Sequence, residues 1–220
     1  MEVSHLAKMS RHPPTSRSRS SQGSPLVEVV RSEWDRYYEK GCPPWTTGGI
    51  SGCSKELLAR YSKGRDLLEV GCGIGVDLRD LSKLGYNIHG IDISERAIAL
   101  ASSRLPNVTL MVADFFQWTP PKLFNVVYDR GVFHNLGTPL AREQFALRVS
   151  SVLSELGIWM VIAGAADGER SERSHGGMYL QDLVLATEPY FEFLEVRKDR
   201  YGLIDISADF PAWHCVLARR

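Results

Sequence analysis

The chain has 220 residues, with 26 Lys+Arg against 26 Asp+Glu, and 44% of it is hydrophobic. This suits one globular domain, or one domain with a tail, and leaves little room for a second core. Zero net charge argues against a nucleic-acid binder. The longest nearly apolar run, Gly157–Ala166, is about half a bilayer span, and four cysteines without C-x-x-C spacing argue against a disulfide scaffold or a zinc site. The expected setting is the reducing cytoplasm.

Residues 1–24 hold seven serines and four basic side chains against one acidic one. Such a segment buries too little to offset its ordering entropy, so a disordered basic Ser/Arg-rich tail is expected. A targeting peptide, or an extension before Met9, remains open. Val27–Tyr38 then reads as a helix with Trp34 and Tyr38 on one face. A Gly/Pro/Thr-rich turn covers Gly41–Gly52, and Ser54 is expected to cap a helix over Lys55–Tyr61. Strands and helices alternate from there. The strands are Asp66–Val70, Asn87–Asp92, Val108–Val112, Phe124–Tyr128 and Ile158–Ala163. The helices are Gly75–Leu84, Glu95–Arg104 (capped by Ser94) and Leu140–Leu156. A polar loop over Gly164–Gly177, a helix over Leu180–Thr187 and strands over Phe191–Arg197 and Trp213–Ala218 complete the chain. This alternation implies parallel βαβ units, hence an open α/β sheet covered on both faces.

The stretch Leu67–Asp92, LLEVGCGIGVDLRDLSKLGYNIHGID, carries the most chemistry. A buried strand runs into Gly71, Gly73 and Gly75, and a helix starts at once. Glycines there let backbone approach a ligand where a Cβ would collide. At the end of the next strand Asp92 is placed to accept hydrogen bonds from a ribose diol. A dinucleotide site would want a small third residue at position 76, where this chain has Val76. Glu69 would repel a pyrophosphate and attract an ammonium or sulfonium. The turn therefore favours a nucleoside that carries positive charge.

On these residues the chain resembles the class I S-adenosylmethionine-dependent methyltransferases. Ala113-Asp114-Phe115 and Tyr128-Asp129-Arg130-Gly131-Val132-Phe133-His134 stand in that family's order. The resemblance implies a Rossmann-like, mostly parallel seven-stranded sheet with helices on both faces and an antiparallel C-terminal strand. It also implies S-adenosyl-L-methionine as methyl donor, a tail over 1–24 and one domain over 25–220, with lid and helices at 25–62 and the core at 63–220. By analogy Asp114 accepts from the adenine amino group, the Phe115 backbone meets the ring edge and Ile93 lies on its face. Glu69, Gly71, Cys72, Gly73 and Asp129 would line the methionine end. The segment W-D-R-Y-Y-E-K-G-C-P-P-W-T-T-G-G is similar to the lid of the thiopurine, thiol and halide methyltransferases. It supplies Trp34, Tyr38 and Trp45, with Tyr38 where that branch has Trp. Aromatic faces there would shield a sulfonium from water; plain packing of a docked helix is the other reading.

The expected partner is a small-molecule acceptor, with no nucleic acid or membrane, and a monomer or homodimer. A thiol or other soft nucleophile leads, because a thiol ionises near pKa 8.5 and needs little help from a base. Asp129 and His134 are the candidate catalytic groups, with local hydrogen bonding the alternative for His134. His175, Arg170 and Arg173 could fold over the pocket. O- or N-methylation, a nicotinamide oxidoreductase and a non-catalytic donor-binding module are the competing functions. No metal site is expected.

Overall fold

The computed structural model describes residues 25–39, 43, 45–166, 177–207 and 209–220. The expected tail, Cys42, and the loop residues Arg170, Arg173 and His175 lie outside these.

Seven strands form one sheet in the order β3-β2-β1-β4-β5-β7-β6. They are β1 (Asp66–Val70), β2 (Asn87–Asp92), β3 (Thr109–Val112), β4 (Phe124–Arg130), β5 (Leu153–Gly164), β6 (Phe191–Arg200) and β7 (Pro211–Arg219). From β3 to β5 the pairing is parallel, and β7 runs antiparallel between β5 and β6. The antiparallel strand is thus an interior strand, and the charged strand β6 forms the edge. Alternating Glu, Arg and Lys side chains there suit an edge that must not recruit another chain.

Helices α1 (Pro25–Tyr38), α2 (Gly52–Tyr61), α3 (Val76–Lys83), α4 (Glu95–Arg104), α5 (Pro139–Val152) and α6 (Leu180–Thr187), with a 3-10 turn at Phe133–Asn135, complete the described elements. Period-two alternation along the strands builds two cores. Leu68, Val70, Val127 and Trp159 face one way, against Phe145 and Val149 of α5 and Leu183 of α6. Leu67, Val126, Tyr128 and Met160 face the other, against Leu57 and Leu58 of α2 and Leu78 and Leu81 of α3.

Two sequence expectations need correction. The cap of α2 is Ser51, whose Oγ accepts from the Ser54 N–H at 3.0 Å. Ser54 sits inside the helix and bonds instead to His214 Nδ1 of β7 at 3.2 Å. The expected helix Leu140–Leu156 stops at Val152. Ser150 and Ser151 turn their hydroxyls back onto the carbonyls of Leu147 and Arg148, and Leu153 pairs with Phe124 as the first residue of β5.

Candidate functional site

The order of the sheet reverses between β1 and β4, and a cavity of about 1300 Å³ opens beside the carboxyl ends of these strands. An open α/β sheet binds its ligands at such a point.

Beyond β1 the chain turns through Gly71 (φ 67°), Gly73 (φ 53°) and Gly75 (φ 77°), all left-handed. A Cβ at position 71 would overlap the Val132 side chain, and one at 73 would lie 3.0 Å from the Tyr38 hydroxyl. Cys72 is buried in this turn, and burial with the nearby Asp92 charge pushes its thiol well up. Asp92 Oδ2 accepts from the Gly73 N–H at 2.8 Å, and Oδ1 from the Ser94 N–H at 2.9 Å. Burial nonetheless raises its carboxyl to about 6. Each oxygen retains a further lone pair. Glu69 is buried on the cavity wall, and its Oε2 has no hydrogen-bond partner among the described residues. Burial, then the charge of Asp77, pushes Glu69 well above the usual carboxylate range.

The N-terminal aromatics gather over this turn. Trp45 packs against Trp34 at 5.6 Å, Tyr37 at 4.8 Å and Tyr38 at 6.3 Å between ring centroids, and all four line the cavity. Helix α1 is fastened to the start of α4: Asp35 Oδ1 accepts from Ser94 Oγ at 2.5 Å, and Arg31 pairs with Glu95 at 3.3 Å. Opposite the glycine turn lie Ile93, Asp114, Phe115 and Phe116. The Asp114 carboxylate accepts from the Phe116 N–H at 3.0 Å and from Gln117 Nε2 at 2.8 Å. The Phe115 ring packs on Phe145 at 5.1 Å, and its carbonyl accepts from Arg148 Nε at 3.1 Å.

The two candidate catalytic groups are already occupied. Asp129 does not line the cavity. Its Oδ1 accepts from the Val132 N–H at 2.8 Å and its Oδ2 from the Phe133 N–H at 3.1 Å, so it holds the 3-10 turn Phe133–Asn135. His134 lines the cavity, and its Nδ1 accepts from the Gly164 N–H at 3.2 Å, which puts the imidazole proton on Nε2.

Sequence reasoning missed a buried cluster beside Glu69. Arg130, at the end of β4, pairs with Asp77 in the first turn of α3 and also donates to Thr47 Oγ1. Only the adjacency of Arg130 to Asp129 pointed there, and spacing cannot reveal that a guanidinium turns inward. Tyr37, Phe145 and Tyr201 were missed for the same reason. Among the described lining residues Glu69, Asp77, Asp92, Asp114 and Asp209 face a single guanidinium, Arg130. That balance suits a cationic ligand and opposes a pyrophosphate.

The fold and site together define an α/β protein with an acid-lined cavity at its topological switch point, of a chemistry suited to a cationic nucleoside. A family described as a methyltransferase domain matches residues 67–157. A probable thiol methyltransferase 2 of Arabidopsis thaliana is 29% identical over 70% of this chain and 69% of its own. Thiocyanate methyltransferase 1 of Brassica oleracea is 32% identical over 48% of this chain, and the match spans half the length of that relative. In fold, the chain superposes on 1,6-didemethyltoxoflavin-N1-methyltransferase of Burkholderia thailandensis with a TM-score of 0.70, at 16% identity over 93% of both chains. In sequence and fold the chain is similar to the S-adenosylmethionine-dependent methyltransferases, whose methyl donor is S-adenosylmethionine. The residues fit that donor: a glycine cradle, a buried carboxylate oxygen without a partner, and an acid at the end of β2.

Proposed function

We propose that the protein methylates a small-molecule acceptor, with a thiol or other soft nucleophile as the leading class. One observation carries the reading: neither sequence candidate is set up as a general base. Both Asp129 oxygens hold backbone N–H groups, and His134 Nδ1 is taken by Gly164. A hydroxyl acceptor would need a base, whereas a thiol of pKa about 8.5 supplies its own thiolate. The names of the plant relatives, a thiol and a thiocyanate methyltransferase, support the same choice.

The donor, when bound, brings an electrophilic methyl and its own leaving group. The chain's residues bind, orient and exclude water. In our reading Gly71 and Gly73 present backbone, Asp92 accepts from the ribose hydroxyls, and Glu69 receives the ammonium group. Ile93, Asp114 and Phe115 frame the adenine. Trp34, Tyr38 and Trp45, joined by Tyr37, close over the sulfonium. Cys53, Cys72 and Cys215 form no disulfide, in keeping with a cytoplasmic protein. No helix among the described residues is long and apolar enough to cross a membrane.

A panel of thiols, thiocyanate, phenols and amines, read by methylated product, tests the proposal. Thiols are expected to turn over fastest. Phenols or amines ahead of every thiol would move the protein to O- or N-methylation.

A further inference from the structure

The Arg130 guanidinium meets three separate stretches of chain. One terminal nitrogen donates to the Gly49 carbonyl at 3.2 Å and to the Tyr201 carbonyl at 3.4 Å. The other donates to Asp77 Oδ1 and Thr47 Oγ1. Its carbon lies 5.9 Å from the centroid of the Tyr201 ring. The side chain is 7% exposed. Thus one cation ties the end of β4 to the first turn after the glycine cradle, to the strap at Thr47–Gly49 that follows Trp45, and to the end of β6. Backbone pairing continues the seam: Gly48 N–H donates to the Gly202 carbonyl at 3.3 Å, and Ile204 N–H to the Thr46 carbonyl at 3.1 Å. Thr47, Tyr201 and Leu203 all line the cavity.

With four acceptors engaged, one of them the ion-paired Asp77, this cation is not on offer to an anionic acceptor. We propose that Arg130 is a positioning residue, a latch that holds the strap and the β6–β7 connection at a fixed distance from the donor turn and so sets the wall against which the acceptor lies. The proposal rests on the methyltransferase reading. A fork of fixed N–H directions is needed for it, and lysine cannot reproduce that fork.

Arg130→Lys keeps a charge beside Asp77 but loses the fork, and Thr47→Val removes one link while conserving shape. Both are compared with Thr47→Ser, which keeps the hydroxyl. Amide exchange over residues 45–50 and at Ile204 is expected to speed up about tenfold in the first two and to stay native in Thr47→Ser. S-adenosylmethionine affinity by titration is expected to stay within about threefold, while kcat falls about tenfold for neutral and anionic acceptors alike. Native exchange and kcat in both Arg130→Lys and Thr47→Val would overturn the latch. So would a loss confined to anionic acceptors, which would make Arg130 an acceptor-binding group. If the wild-type protein bound no S-adenosylmethionine, the methyltransferase reading would fail while the exchange comparison still judged the seam. Should Arg130→Lys not fold, Thr47→Val against Thr47→Ser decides alone.

Discussion

Burial sets opposing pH trends at Asp92. Its carboxyl is raised from 3.8 to about 6, so between those values the donor-free fold holds a proton that the unfolded chain has released. The group's contribution to stability therefore falls as pH rises through that window, by roughly 3 kcal/mol at most. Donor affinity needs the carboxylate and should rise over the same window. Titration calorimetry from pH 5 to 8 checks the sign, and a flat profile would remove Asp92 from the ribose. Asp129 behaves differently. Asp129→Asn puts an amide N–H against a backbone N–H at one of two buried bonds, which should cost about 1–3 kcal/mol in urea unfolding. Turnover per folded molecule should hold, whereas a proton-accepting Asp129 would lose turnover at unchanged stability. His134→Gln is expected to keep turnover within about tenfold, with a pH profile that follows the acceptor's own ionisation. The left-handed glycine turn was legible because glycine enters that region at least cost, and the position of Asp92 at the end of β2 because strand and helix alternate so regularly. Arg130 was not, since its inward turn depends on Asp77 and Thr47, 53 and 83 residues away in the chain.

Helix α1 shows how two elements share one hydrogen-bonded chain. Asp35 in α1 accepts from Ser94 Oγ, Ser94 caps α4, and the Ser94 N–H donates to Asp92. Docking of α1 is thereby linked to the acid proposed to hold the ribose. Asp35→Ala is expected to weaken donor binding several-fold while costing only about 1 kcal/mol of global stability, the worth of the hydrogen bond it removes. Equal donor affinity in the variant and the wild type would mean that the helix sits on the core without serving the site. At this scale most strands were legible, since short apolar runs between turn signals admit few alternatives. The end of α5 was not. Leu140–Leu156 keeps a helical pattern past Val152, and only the partner strand at Phe124 shows where pairing takes over.

For the whole molecule, the proposed donor contacts draw on the glycine turn, the β2 end and α1 together, so donor binding should stabilise the fold as a unit. Donor at about a hundred times its dissociation constant adds about 2.7 kcal/mol. For a domain of this size that is roughly a 5–10 °C rise in Tm. Calorimetric scans with S-adenosylmethionine and with NADH should show the rise for the first alone. The order of the sheet bears on synthesis as well. Strand β7 bridges β5 and β6, so β6 finds no neighbour until Pro211–Arg219 has been made. In folding, the backbone of β6 therefore stays unpaired until β7 joins the sheet. Loss of Pro211–Arg219 would leave the edges of β5 and β6 open to aggregation instead of a slightly smaller sheet.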